Sequence, residues 1–107
     1  MMPWEVLASA RTEISEVYRT FGAIDPRLAD DFWILFVAKI AQARGTPKLY
    51  RVRRNHIRRI NLGPQFKEWY IAYMLWNGKL IVLALAHAKR RPFYFIGRAT
   101  TAKRRHS

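Results

Sequence analysis

Cysteine is absent from these 107 residues, which removes any disulfide framework or thiolate metal site and fits a reducing compartment. Long apolar runs are absent as well. The longest, residues 32–38, 69–76 and 80–86, stop at seven or eight residues, far below the ~20 that a membrane-spanning helix needs. The opening Met1-Met2-Pro3-Trp4-Glu5 has no basic stretch leading into an apolar one, so no signal peptide is expected and the cytoplasm is the expected location. There is no Walker-type or GxGxxG phosphate loop. His56, His87 and His106 are not spaced as ligands on one element and no acidic cluster joins them, so neither a metal nor another cofactor is expected. Acid is scarce where it would matter for paired-carboxylate catalysis: beyond residue 43 the only one is Glu68.

What is present suits one folded domain. Half of the residues are apolar and 14% are aromatic, enough for a single core and too much for wholesale disorder. The charge is lopsided. Residues 1–43 carry a net −2 and residues 44–107 a net +15, together the +13 of the chain. Such a half draws polyanions or an acidic protein partner; the plainer reading is a solvated basic face.

Along the chain, residues 4–8 form a short apolar run that could be a first strand. Ser9 is suited to cap a helix, and Ile14, Val17, Tyr18 and Phe21 fall on one helical stripe that Gly22 would end. Asp25-Pro26 starts a second helix, since aspartate caps and proline tolerates the first helical position. Leu28, Phe32, Leu35, Phe36 and Ile40 give it a broad apolar face, and Gly45-Thr46-Pro47 stops it. Residues 49–54 alternate loosely and 57–62 read as a short strand. Residues 69–76 and 80–87 are the best strand candidates, joined by Asn77-Gly78, both of which tolerate the positive φ of a type I′ turn. The result is an α+β protein of order β-α-α-β-β-β: an N-terminal strand, an αα-hairpin and a three-stranded antiparallel meander. Residues 1–98 form the single domain, and 99–107 read as a basic, mobile tail with little to bury.

Both faces of the 69–87 hairpin are apolar. One face should cover the helices; the second either lines a groove for a partner or is covered by the chain's own terminal segments. The residues able to carry chemistry are arginine, tyrosine and histidine: Arg58, Arg59, Tyr70, Tyr73, His87, Arg90, Arg91, Tyr94 and Arg98. Arginine forks hold phosphate and offset charge at a scissile phosphodiester; histidine and tyrosine move protons. The same set also describes an anion-binding surface. Adjacent strand residues point to opposite faces, so Arg58 and Arg59 cannot both line one site. Of Phe93, Tyr94 and Phe95, some should anchor the tail in the core.

Three stretches, taken in order, resemble the RelE/ParE superfamily of toxins. They are Asp25-Pro26 with its helix, Arg58-Arg59-Ile60 leading into Trp69-Tyr70-Ile71-Ala72-Tyr73, and residues 80–94 ending His87-Ala88-Lys89-Arg90-Arg91-Pro92-Phe93-Tyr94. The last is the most specific and looks like the ParE branch. The resemblance runs from about Ser9 to Arg98. It implies the toxin of a type II toxin–antitoxin pair, growth arrest, a cognate acidic antitoxin as partner, and a homodimer or hetero-oligomer. ParE-like inhibition of DNA gyrase is favoured; RelE-like, metal-independent cleavage of mRNA on the ribosome is the alternative, and a non-toxic basic nucleic-acid-binding protein is a third. If the chain is a nuclease, His87, Arg90 and Tyr94 are the candidate catalytic residues. Arg58, Arg59, Tyr73, Arg90, Arg91 and Arg98 are the candidate target- or antitoxin-binding residues. The lysine cluster of the ribonuclease branch is missing from the helices, where Lys39 stands alone.

Overall fold

Asn77 (φ +50°) and Gly78 (φ +76°) both occupy the left-handed region, and the turn they make joins the two longest strands of the protein. In the computed structural model, which describes residues 1–105, these are β4 (Phe66–Trp76) and β5 (Lys79–His87), antiparallel from Trp76↔Lys79 back to Trp69↔His87. One residue of β5, Leu83, is bulged out of the pairing between Ala72↔Ala84 and Tyr73↔Val82.

Before them come β1 (Trp4–Val6), α1 (Ala8–Ile24), α2 (Pro26–Gly45), β2 (Val52–Arg54) and β3 (Ile57–Leu62); after them comes α3 (Ile96–Arg105). The class is α+β, but the sheet is larger and more mixed than the expected meander. It has five strands in the order β1-β5-β4-β3-β2, and β1 runs parallel to β5. The helical pair carries the chain from β1, at one edge of the sheet, to β2 at the other. The addition is β2, three exposed residues joined to β3 by Asn55 and His56, both at positive φ.

The second helix starts as its residues dictate: Asp25 accepts a hydrogen bond from the Arg27 N–H at 3.0 Å, Pro26 is the first helical residue, and Gly45 the last. The first helix departs from expectation at both ends. It begins at Ala8 behind Leu7, so Ser9 lies inside it, and it runs through Gly22 to Ile24. Gly22 is therefore no terminator. A Cβ built there would stand 3.7 Å from the Ala29 Cβ, so the small residue sits where α1 and α2 approach.

Register assigns the faces. Trp69, Ile71, Tyr73 and Leu75 share one face with Arg58, Ile60, Val82, Leu85 and His87. That face meets the helices, through contacts such as Phe21 with Trp69 and Phe66, and Phe32 with Phe66. The opposite face carries Tyr70, Ala72, Met74 and Trp76 with Ile57, Arg59, Ile81, Ala84 and Ala86.

The second face is closed by the chain itself. Phe95 packs on Tyr70 at 6.2 Å between ring centres, the Lys103 ammonium lies 5.2 Å from the Trp76 ring, and Ala72, Met74, Ile81 and Ala84 are fully buried. Of the two readings of this face, the structure takes the one in which the C-terminal segment covers it, not the open groove. The expectation of a tail with little to bury is corrected accordingly. Residues 96–105 are helical, and Ala99 and Ala102 are completely buried. Alanines three apart let the helix lie close to the strands, and the basic side chains need not be buried with them. His106 and Ser107, the end of that tail, lie outside the described residues.

Candidate functional site

Glu13 organises the region where most candidate residues meet. It lies three residues after Ala10 and four before Val17, the two buried positions of α1, so its carboxylate points inward and is only 13% exposed. The pairing of β1 with β5 extends only over Leu80–Val82. Just beyond, Glu13 Oε1 accepts the Leu85 N–H at 3.2 Å and thereby satisfies a strand-edge donor. Three side chains from the C-terminal segment converge on the same carboxylate. Tyr94 donates its hydroxyl to Oε2, Arg98 reaches both oxygens, and Arg90 Nη1 stands 3.7 Å from Oε2. Arg98 also donates to the Leu83 carbonyl at 2.9 Å. Burial, followed by the hydrogen bond and charge of Glu13, pushes the Tyr94 phenol well above its ordinary value, against the pull of Arg90 and Arg98. Tyr94 is thus a bound donor whose proton is already engaged.

His87 stands apart from this cluster. Its Nδ1 accepts the Lys89 N–H at 3.1 Å, so Nε2 carries the proton and donates to Glu68 at 3.0 Å. Its ring packs edge-on to Trp69, 4.8 Å between centres, on the helix-facing side. Both ring nitrogens are occupied.

The two adjacent arginines split as strand geometry requires. Arg58 faces the helices, where its Nη1 donates to the Tyr50 carbonyl and its Nε is buried without a partner. Arg59 faces the opposite way, 3.8 Å above the Tyr70 ring, with Nε donating to Asn61 at 3.1 Å. Tyr73, expected to touch a target or antitoxin, has no exposed surface; its hydroxyl donates to the Pro47 carbonyl at 2.9 Å and ties down the α2–β2 connection. It belongs to the core. Arg91 is exposed. Of the candidates, then, the fold joins Arg90, Tyr94 and Arg98 in one cluster, leaves His87 with Glu68, and separates Arg58 from Arg59.

A second feature escaped the sequence reading. Lys39, Arg51, Arg53 and Arg59, with Leu49, Tyr50 and Asn61, line a cleft of about 400 Å³. A second concavity, about 1300 Å³, is apolar and lies against β1 and the helices, where Trp4, Tyr18 and Trp33 are each more than one-third exposed. Glu13 had a detectable signal, its alignment with Ala10 and Val17. The cleft had none, because it depends on how residues 49–53 fold back beside Arg59. Among the described residues, no group of three or more histidines or acids is placed to hold a metal ion, and no helix is long and apolar enough to cross a membrane. No protein-family model and no curated protein matches the chain.

Proposed function

We propose that this chain is a growth-arresting toxin of the RelE/ParE type, paired with an acidic antitoxin, and that it acts by binding DNA gyrase as ParE-like toxins do. The order of the elements supports the general assignment: a first strand, a helical hairpin and an antiparallel run whose last strand ends at His87. One observation carries the preference for binding over cleavage. The groups a nuclease would use for proton transfer are occupied, Tyr94 by Glu13 and His87 by Glu68 and the Lys89 amide. A general acid or base needs a free position within reach of the substrate.

The antitoxin contact changes with the structure. The apolar sheet face is covered by the chain itself, and an open apolar surface lies instead in the concavity beside Trp4, Tyr18 and Trp33. An amphipathic segment of the antitoxin would lay its apolar side there, and its acids would meet the basic half of the molecule.

The test is direct. Purified protein should block supercoiling by gyrase and accumulate cleaved DNA, and its induction should arrest growth without creating new mRNA ends by primer extension. Unaffected gyrase at micromolar protein would remove the gyrase reading, and discrete new mRNA ends would replace it with the nuclease. Unimpaired growth on induction would remove both.

A further inference from the structure

Among the described residues, several arginines pair with acids: Arg98 and Arg90 with Glu13, Arg105 with Glu5, Arg27 with Asp25. The cleft at the β2–β3 side of the sheet is different. Lys39 comes from α2, Arg51 and Arg53 from the strand-like stretch entering and within β2, and Arg59 from β3, and they line one concavity with no acidic residue in its wall. No carboxylate pairs with any of the four among the described residues, and only Arg59 is otherwise engaged, with Asn61 and the Tyr70 ring. Like charges held around one hollow repel each other, so the arrangement works against stability unless an anion enters.

We infer that this cleft is a binding site for the phosphate backbone of a nucleic acid, gripped by Lys39, Arg51, Arg53 and Arg59. Three guanidinium forks suit phosphate oxygens, and the Tyr70 ring beneath Arg59 restricts that side chain before any ligand arrives. The lining favours a nucleic acid over an acidic peptide. A peptide draws most of its affinity from apolar anchors seated in pockets, and beside its four cations this wall offers only Leu49 and the Tyr50 ring. Backbone phosphates need only repeated positive charge and donors. Nucleic-acid binding here does not depend on the toxin activity, since it is measured without gyrase or cells.

The experiment compares two charge-matched double variants of the full chain by fluorescence anisotropy with a short labelled DNA duplex over a range of salt concentrations. Arg51 and Arg53 are exposed and unpartnered, so Arg51→Gln/Arg53→Gln should fold normally, which circular dichroism would verify. Lys67→Gln/Lys79→Gln removes the same charge from exposed positions outside the cleft. The cleft pair should weaken binding about tenfold and lower the slope of log K against log salt by about 2, with a much smaller effect from the control pair. Equal losses from both pairs would mean a diffuse positive field and would overturn the site. Polyglutamate binding as tightly as the duplex, with the same dependence on Arg51 and Arg53, would overturn the nucleic acid in favour of an acidic protein.

Discussion

Arg98 of α3 grips Glu13 of α1 through both carboxylate oxygens, Nη1 to Oε1 at 2.8 Å and Nη2 to Oε2 at 3.3 Å, across 85 residues of sequence. The pair is largely shielded, at 24% and 13% side-chain exposure, so its loss should be felt. Glu13→Ala would leave the Arg98 guanidinium, the Tyr94 hydroxyl and the Leu85 N–H without their acceptor. After allowing for partial exposure, a cost of about 2–3 kcal/mol is expected, or a fall in Tm of roughly 10 °C or more. Arg98→Ala should cost less, because Glu13 keeps Tyr94 and Leu85. Thermal unfolding of both single variants and the double variant checks this, and additive losses would show that the two residues do not act as a pair.

His87 separates the two toxin readings. Its pairing with Glu68, which is half exposed, is worth at most about 1 kcal/mol. His87→Ala should therefore lower Tm by only a few degrees and leave growth arrest intact. A stably folded His87→Ala protein that no longer arrests growth would favour the nuclease.

How much of this was legible beforehand follows from how local each signal is. Asn77-Gly78 and Asp25-Pro26 act on their immediate neighbours, and both turns stand where the residues put them. Gly22 failed as a helix terminator because a glycine signal is ambiguous: here it serves the approach of Ala29, a contact made by tertiary packing. The closing of the second sheet face was half legible. The absence of alternating polar residues showed that both faces of β4 are apolar, but what covers the second depended on residues 96–105, whose few apolar positions, Ile96, Ala99 and Ala102, were outweighed by their basic neighbours. The site was less legible than the fold. Arginines could be nominated by type, yet their division between the Glu13 cluster, the Tyr70 ring and the open cleft depends on register, which a one-residue slip would reverse.

The turn at Gly78 allows a clean backbone test. Its φ of +76° is one that residues with a Cβ seldom adopt, yet a Cβ there would meet nothing within 4 Å. Gly78→Ala should thus cost about 1–2 kcal/mol from conformation alone, with no steric clash added. Chemical denaturation should show a lower midpoint at unchanged m-value. An unchanged midpoint would mean that the turn relaxes to another type.

Alkaline pH should unfold the protein through its buried phenols. Burial, opposed by Arg58 and reinforced by Tyr50, raises Tyr73 from 10.0 to about 12. Burial also raises Tyr70, against Arg59, and together with Glu13 it raises Tyr94. Each phenol is easier to ionise in the unfolded chain than in the folded one. Their contribution is therefore complete below pH 10 and is lost as pH rises from there through the folded-state values, about 12 for Tyr73. Within that window each of the three removes up to about 1.4 kcal/mol per pH unit. Tyr73→Phe should lose about 1 kcal/mol at neutral pH, from the missing hydrogen bond to Pro47, and should show a shallower decline above pH 10. Urea denaturation at stepped pH, read beside phenolate absorbance, measures both effects. A decline as steep in Tyr73→Phe as in the parent would place the alkaline sensitivity in Tyr70 and Tyr94 alone.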